Sequence, residues 1–288
     1  MFICNYCVFK QVIFFKKIKK ILIELYGFGL ALLIGIVLGL LGSGGSILAV
    51  PIFTYIFLLD EKLATGYSLF VVGFGALVGV IKQYQKKNID FKAAVVFGLP
   101  AVISVTMMRS LVVPFLPEIL FDFGEIIITR RMGILGLFAI VMIPAAWAFI
   151  KSTKTKTRNF NLISQNYNYT IIILEGLIVG SITGIVGAGG GFLIIPVLVI
   201  FLNMSIKIAI STSLLIVASK SLIGFFIGDA LSMEIDWAFL ISFTAIAGSG
   251  VIIGNHLNSM IDEKKLRNIF GYFILFMSAF IFFQEFIK

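Results

Sequence analysis

Charge, histidine, cysteine and phosphate-binding motifs are scarce in this sequence, and each scarcity removes a class of function. Of 288 residues only 13% are charged while 60% are hydrophobic, and the mean hydropathy is +1.10. A soluble domain carries about 25% charged and about 45–50% apolar residues, so a soluble fold could not cover its own surface here. The two cysteines, Cys4 and Cys7, form one C-x-x-C, and the single histidine, His256, lies far along the chain. Zinc takes about four ligands, so no metal centre and no other cofactor is expected. No Gly-x-x-x-x-Gly-Lys-Ser/Thr loop is present, which excludes ATP-driven transport by this chain alone.

What the sequence does have is long apolar runs. They cover roughly 27–58, 63–81, 92–108, 131–150, 170–202, 207–227, 237–256 and 267–287. A helical span needs about 20 apolar residues. The expectation is therefore an all-α integral membrane protein of about eight transmembrane helices. Runs 27–58 and 170–202 are too long for one straight crossing, and each holds a glycine cluster near its middle. Both are expected to be broken or re-entrant. The reading divides the chain into a basic N-terminal segment (1–24), a first transmembrane repeat (25–150), a basic linker (151–169) and a second repeat (170–288).

The formal net charge is +9. In a soluble protein that would suggest nucleic acid. Here the cations cluster between apolar runs, as in cytoplasmic loops facing anionic lipid. The expected partners are a small anion and membrane lipid, with no nucleic acid, and homo-oligomerisation stays open. Lys16, Lys17, Lys19 and Lys20 follow an apolar patch, the reverse of a signal peptide. With the N-terminus cytoplasmic, in a cell (inner) membrane, Lys82, Lys86, Lys87, Lys92, Lys151, Lys154, Lys156 and Arg158 fall inside. Asp60, Glu61, Glu118, Asp122 and Glu125 then fall outside. Arg109, Arg130, Arg131, Lys264, Lys265 and Arg267 run against this orientation.

The two halves are copies. Residues 35–72 align without a gap on 180–217, at an offset of 145 (196 − 51) fixed by Pro51 and Pro196. Gly39, Gly42, Gly44 and Gly45 match Gly184, Gly187, Gly189 and Gly190. Lys62, Ala64, Ser68 and Leu69 match Lys207, Ala209, Ser213 and Leu214. After one inserted residue, Ile89-Asp90-Phe91 matches Ile235-Asp236-Trp237. Duplication of this kind is common in carriers, whose substrate site lies where the repeats meet. Four spans per half give both halves the same orientation; glycine segments that form hairpins would invert one against the other.

The glycine segments are the candidate site. They comprise Gly42, Ser43, Gly44, Gly45 and Ser46 with Pro51, and Gly187, Gly189, Gly190 and Gly191 with Pro196. Glycine admits positive φ, and proline withholds a hydrogen bond from the preceding turn. Backbone freed in this way inside a membrane must face protein or a water-filled cavity. An unwound segment followed by a helix start presents amide N–H groups to an anion. The competing reading is close helix packing at Gly-x-x-x-Gly.

The run Thr183-Gly184-Ile185-Val186-Gly187-Ala188-Gly189-Gly190-Gly191-Phe192-Leu193-Ile194-Ile195-Pro196 resembles the signature of the TauE/SafE sulfite exporter family. So do Thr212-Ser213-Leu214-Leu215-Ile216 and Lys220-Ser221-Leu222-Ile223-Gly224-Phe225. The resemblance covers about residues 25–288, and the first copy departs from it at Ser46, the mate of Gly191. It implies a membrane carrier that exports small sulfur-containing anions such as sulfite, sulfoacetate or other organosulfonates.

Lys220 lies deep in the sixth run, where a lysine costs about 2.5–3.5 kcal/mol on insertion scales. Its mate is Gly75. It is the best single candidate for an anion contact. Ser68, Thr212 and Ser213 are candidate hydroxyl donors, with helix–helix hydrogen bonding as the equal alternative. Arg109 is read as a headgroup contact with an external gate as the alternative, Asp229 as a loop residue in preference to a proton relay, Glu175 as the partner of a lysine, and His256 as interfacial with a proton site as the alternative. No catalytic residue is expected. The alternatives are an intramembrane enzyme using Ser43 or Ser46 with His256, and an assembly or sensor subunit that transports nothing.

Overall fold

The computed structural model describes residues 26–42, 44–85, 87–122, 127–151, 169–202, 204–258 and 260–287. The C-x-x-C pair, the N-terminal lysines, Ser43, Glu125 and most of the basic linker lie outside the described residues. Ten helices follow one another: α1 (Tyr26–Leu41), α2 (Gly45–Pro51), α3 (Glu61–Gln85), α4 (Phe91–Met107), α5 (Arg130–Lys151), α6 (Tyr169–Val186), α7 (Gly191–Phe201), α8 (Ile206–Gly224), α9 (Trp237–Asn258) and α10 (Glu263–Phe286). Helices α2, α4 and α8 each run on into one π-helical turn, at Ile52–Ile56, Met108–Val112 and Phe225–Asp229. Among the described residues, six helical stretches are long and apolar enough to cross a membrane: Glu61–Gln85, Phe91–Phe115, Arg130–Lys151, Ile206–Asp229, Trp237–Asn258 and Lys265–Phe286. A short antiparallel hairpin, β1 (Ile119–Asp122) with β2 (Ile127–Thr129), joins α4 to α5. The sequence reading had only a loop there.

An apolar exterior matches the bilayer. Val95, Leu99, Ile103, Met107 and Leu111 form an exposed stripe at every fourth residue, while Ala94, Phe97, Ala101 and Val105 face inward. In a helix that spacing keeps one face toward lipid.

Helix directions follow from which residues touch. Gly73 lies on Leu222 and Gly79 on Leu214, so α3 and α8 run antiparallel. Tyr67 packs on Phe239 and Gly75 lies against Val251, so α3 and α9 run parallel. Gly35 and Gly39 meet the backbone of Ala247 and Val251, which sets α1 parallel to α9. Gly180 and Gly184 meet Ala101 and Val105, which sets α6 parallel to α4. These two contacts are one contact made twice, because Gly35 is the sequence mate of Gly180 and Ala247 the mate of Ala101. Ser278 donates to the Ala139 carbonyl while Gly271 lies on Phe149, so α5 and α10 run antiparallel.

The broken first segments fold back. A Cβ on Gly45 would lie 2.7 Å from Leu38 Cβ, and one on Gly27 would strike the Phe57 ring. The end of α2 has thus returned to the start of α1. In the second copy Phe192 packs on Phe138 at 5.7 Å, and Val199 sits beside Phe149, so α7 runs with α5 and against α6. Every helix therefore reverses the one before it. Five helices per sequence copy is an odd number, so α1–α5 and α6–α10 run in opposite directions. The expectation of equal orientation counted one crossing for each broken segment; the fold-back adds a reversal and inverts the copies.

The same directions sort the charges. One face carries Lys82, Lys87, Lys92, Lys151, Lys207 and Lys265. The other carries Asp60, Glu61, Glu118, Asp122, Glu234, Asp236 and Glu285, with Lys62, Arg130 and Arg131 among them. Arg130 pairs with Glu61, and Arg131 with Glu285 at 3.1 Å.

The candidate site at the second glycine tip

The Ile-Asp-aromatic repeat is a helix start. Asp90 accepts from the Ala93 amide and Asp236 from the Phe239 amide, each at 3.0 Å, as N-caps of α4 and α9. Each aspartate also ties its own copy to the other. The Asp90 amide donates to Thr212 Oγ1 at 3.0 Å, and the Asp236 amide donates to Tyr67 Oη at 2.8 Å. Thr212 and Tyr67 are sequence mates. This bond occupies Thr212 at the basic face. Ser213 donates to the Ile210 carbonyl at 2.9 Å, and Ser68 Oγ is buried without a hydrogen-bond partner.

The two caps hold α4 and α9 beside the glycine tips, which lie inside the bundle. A Cβ on Gly189 would sit 3.4 Å from Ser46 Cβ and 2.7 Å from Val72, close to Val217. Val72 and Val217 are mates halfway along α3 and α8. Ser46, Gly189, Gly190 and Gly191 thus converge near the pseudo-twofold centre.

The tips differ in backbone. In the second, Gly187, Gly189 and Gly190 have φ of +70°, +58° and +67°. Among the described residues of the first, only Gly42 does, at +74°, while Gly44 is right-handed and leads directly into α2. The second tip is held by the Gly187 amide donating to the Thr183 carbonyl at 2.9 Å and by a short bond from the Gly190 amide to the Ala188 carbonyl. The first turn of α7, with N–H groups that have no intrahelical acceptor, begins directly after it. Pro51 and Pro196 lie within α2 and α7, away from the tips: Pro51 at the start of the π turn, Pro196 against Phe149 and Ile206.

Lys220 reaches this second tip. It is fully buried, and its Nζ donates to Thr183 Oγ1 at 2.5 Å. A Cβ on Gly190 would come within 3.0 Å of Nζ, so glycine there lets the ammonium lie against the backbone. No carboxylate among the described residues forms an ion pair with it. An ammonium in a low-dielectric interior costs several kcal/mol unless an opposite charge joins it. The Gly187 and Gly190 amides and the Thr183 hydroxyl already donate within the chain, so the arrangement offers one positive charge beside the remaining amides of a left-handed glycine turn, which together suit a small oxyanion.

Two further residues meet the acidic side of this tip. Arg109 is completely buried, not at a headgroup. It donates through Nε to Asp229 Oδ2 at 2.8 Å, pairs through Nη2 at 2.6 Å, and donates through Nη1 to Thr65 Oγ1 at 3.0 Å. Asp229 is equally buried at the helical end of α8, not in a loop. The register mate of Arg109 in the second half is Asn255, which sits by Gly39 and Gly79 of the first half; neither its Oδ1 nor its Nδ2 has a hydrogen-bond partner. That shared register, 109 and 255, is the sequence signal that could have raised Arg109 above a surface contact. Glu175 Oε2 has no hydrogen-bond partner, and among the described residues Glu175 forms no ion pair with a lysine. His256 lies on the exposed flank of α9, whereas Ser46 is fully buried, so the two share no pocket.

Comparison with known proteins agrees with this architecture. The family described as sulfite exporter TauE/SafE matches residues 27–281. A protein of Xylella fastidiosa named a probable membrane transporter protein is 26% identical over 259 residues, covering 86% of this chain and 91% of its own. Similarly named proteins of Methanocaldococcus jannaschii (28%, covering 86% and 94%) and Bacillus subtilis (25%, covering 82% and 91%) also match. No solved structure matches the chain significantly. With the family matched over nearly the whole chain and the helices sized for a bilayer, the chain is a multi-pass membrane transporter belonging to the sulfite exporter TauE/SafE family.

Proposed function

We propose that the chain exports small sulfur-containing oxyanions, sulfite or a compact organosulfonate such as sulfoacetate, by alternating access between its two inverted halves. The observation that carries this reading is Lys220: a buried ammonium without a carboxylate partner among the described residues, set against a glycine turn of positive φ. The substrate supplies the missing negative charge. The contacts proposed for it are Lys220, Thr183 and the backbone of Gly187, Gly189, Gly190 and Gly191, with Ser46 and Ser68 facing from the first half. Gly42, Gly44, Gly45, Ser213 and the two prolines shape the surrounding backbone. Inverted repeats suit this task, because exchanging the conformations of the two halves opens the same site to the other side. An inside-negative potential drives an anion outward by about 2.3 kcal/mol per charge per 100 mV, so export needs no second ion.

The test is efflux of sulfite from loaded proteoliposomes under an imposed potential. Protein-dependent efflux that accelerates when the interior is negative is the expected result. Efflux that ignores the sign of the potential would sink the charge-moving carrier reading.

The basic face is proposed to be cytoplasmic. With the fold-back, Lys265 shares a face with Lys82 and Lys87, so the conflict over the C-terminal cations disappears and the positive-inside bias becomes consistent. The start of α1 at Tyr26 then lies on the opposite face; the N-in expectation rested on counting 27–58 as a crossing. In a background lacking Cys4 and Cys7, Glu118→Cys should react with an impermeant maleimide in intact cells, and Lys265→Cys only after permeabilisation. The reverse labelling would invert the assignment.

A further inference from the structure

A chain of polar side chains leads from Lys220 to the acidic face, and only along the second tip. Lys220 touches Thr183 and Gly190; Gly187 lies against Thr65; Thr65 accepts from Arg109; Arg109 holds Asp229. Around the first tip the mates of Thr183, Lys220, Thr65 and Arg109 are Leu38, Gly75, Ile210 and Asn255. The charged route therefore exists on one side of the site alone.

The Arg109–Asp229 pair has the form of an occupied anion site. Both residues sit in π-helical turns, Met108–Val112 and Phe225–Asp229, and those turns pack against each other. π turns inserted in α-helices cluster at functional positions. The guanidinium hydrogen-bonds through Nε and makes an ion-pair contact through Nη2 on a single carboxylate oxygen, Oδ2, while Oδ1, like Nη2, is buried without a hydrogen-bond partner. A purely structural arginine–carboxylate pair favours the two-oxygen fork, which satisfies both acceptors. Thr65 Oγ1 accepts from Nη1 and donates to the Lys62 carbonyl at 3.0 Å, so it fixes the third side of the guanidinium. The surrounding wall is close: a Cβ on Gly66 would lie 3.3 Å from Asp229 Oδ2 and 3.4 Å from Arg109 Nη2.

We propose that Arg109 and Thr65 form a second anion subsite on the acidic side of Lys220, and that the Asp229 carboxylate is its tethered occupant. A sulfite or sulfonate group presents the same pair of oxygens to a guanidinium as a carboxylate does. Arriving from Lys220, it displaces Asp229 from Arg109, and the carboxylate returns to Arg109 as the anion leaves. Asp229 thus closes the route when no anion is passing. This subsite deepens the anion-carrier reading, but it depends on Arg109 and not on Lys220, so the two fail separately.

Chemical rescue tests it. The full-length Asp229→Ala variant, purified in detergent, is expected to melt below wild type. Acetate, methanesulfonate or sulfite should raise its Tm along a saturable curve, by about 5–10 °C at a hundredfold excess over Kd. Chloride at equal ionic strength should not. The response should persist in Asp229→Ala/Lys220→Gln, where the Lys220 site is gone, and vanish when Arg109→Gln is added to that double variant. Absence of a saturable response, or a response that survives Arg109→Gln, overturns the subsite. A response lost with Lys220→Gln instead places the anion at Lys220, which supports the carrier and removes the subsite. Should Asp229→Ala not be obtained folded, Asp229→Asn keeps the side-chain volume and is read in the same way.

Discussion

Lys220→Met should yield a protein that is more stable than wild type and inactive in efflux. The methionine fills nearly the same volume and removes an ammonium that has no carboxylate partner among the described residues. Replacing buried charge with apolar side chains stabilises by roughly 1–4 kcal/mol, which is several degrees in Tm. The lost contact with Thr183 offsets part of this, but Thr183 Oγ1 also donates to the Gly180 carbonyl at 3.3 Å and keeps a partner. Transport moves the other way. A hydrogen bond to a charged group contributes about 1.5–3 kcal/mol, so its loss should slow sulfite efflux at least about tenfold. Opposite signs in melting and efflux are the mark of a residue kept for function at the expense of stability. A variant that melts lower than wild type would instead make Lys220 a structural post for the second tip.

The sequence carried the parts of this design that depend on single residues. Gly187, Gly189 and Gly190 were legible because only glycine takes positive φ without strain, and Lys220 because an ammonium in an apolar run has no cheap alternative. The repeat was legible in Gly, Pro and Lys identities that hydrophobicity alone does not impose. The fold-back was legible only as one of two open alternatives. An unwound but straight segment and a hairpin need the same glycines, and what separates them is the return of Phe57 to Gly27, a contact across 30 positions (57 − 27). The relation of the two faces depends on it, because one reversal more or less exchanges the faces of everything downstream. Arg109 and Asp229 were misread for a related reason. Each lies near the end of an apolar run, where a lone charge ordinarily meets headgroups, and nothing local says that its partner is 120 residues away.

The two glycine tips, alike in sequence, should respond unequally to the same substitution, and Gly187→Ala should have the larger effect. At Gly187 the new Cβ would lie 2.7 Å from both the Cα and the carbonyl oxygen of Thr65. Those are backbone atoms of the long helix α3, so neither can move alone. A positive φ costs a non-glycine residue about 1–3 kcal/mol, and overpacking adds about 1–3 kcal/mol. The sum is a large share of the roughly 5–15 kcal/mol that holds a typical domain folded. At Gly42 the φ penalty is the same, but the Cβ meets chiefly the side chain of Ile210, which can turn about χ1. Thermal unfolding in detergent should therefore rank Gly187→Ala below Gly42→Ala. Efflux should separate them further, because Thr65 holds Arg109 and a shift of α3 against Gly187 is felt along the polar route. Equal losses at the two positions would mean that the tips are mechanically equivalent, and that the asymmetry of charge between the halves does not extend to their backbone.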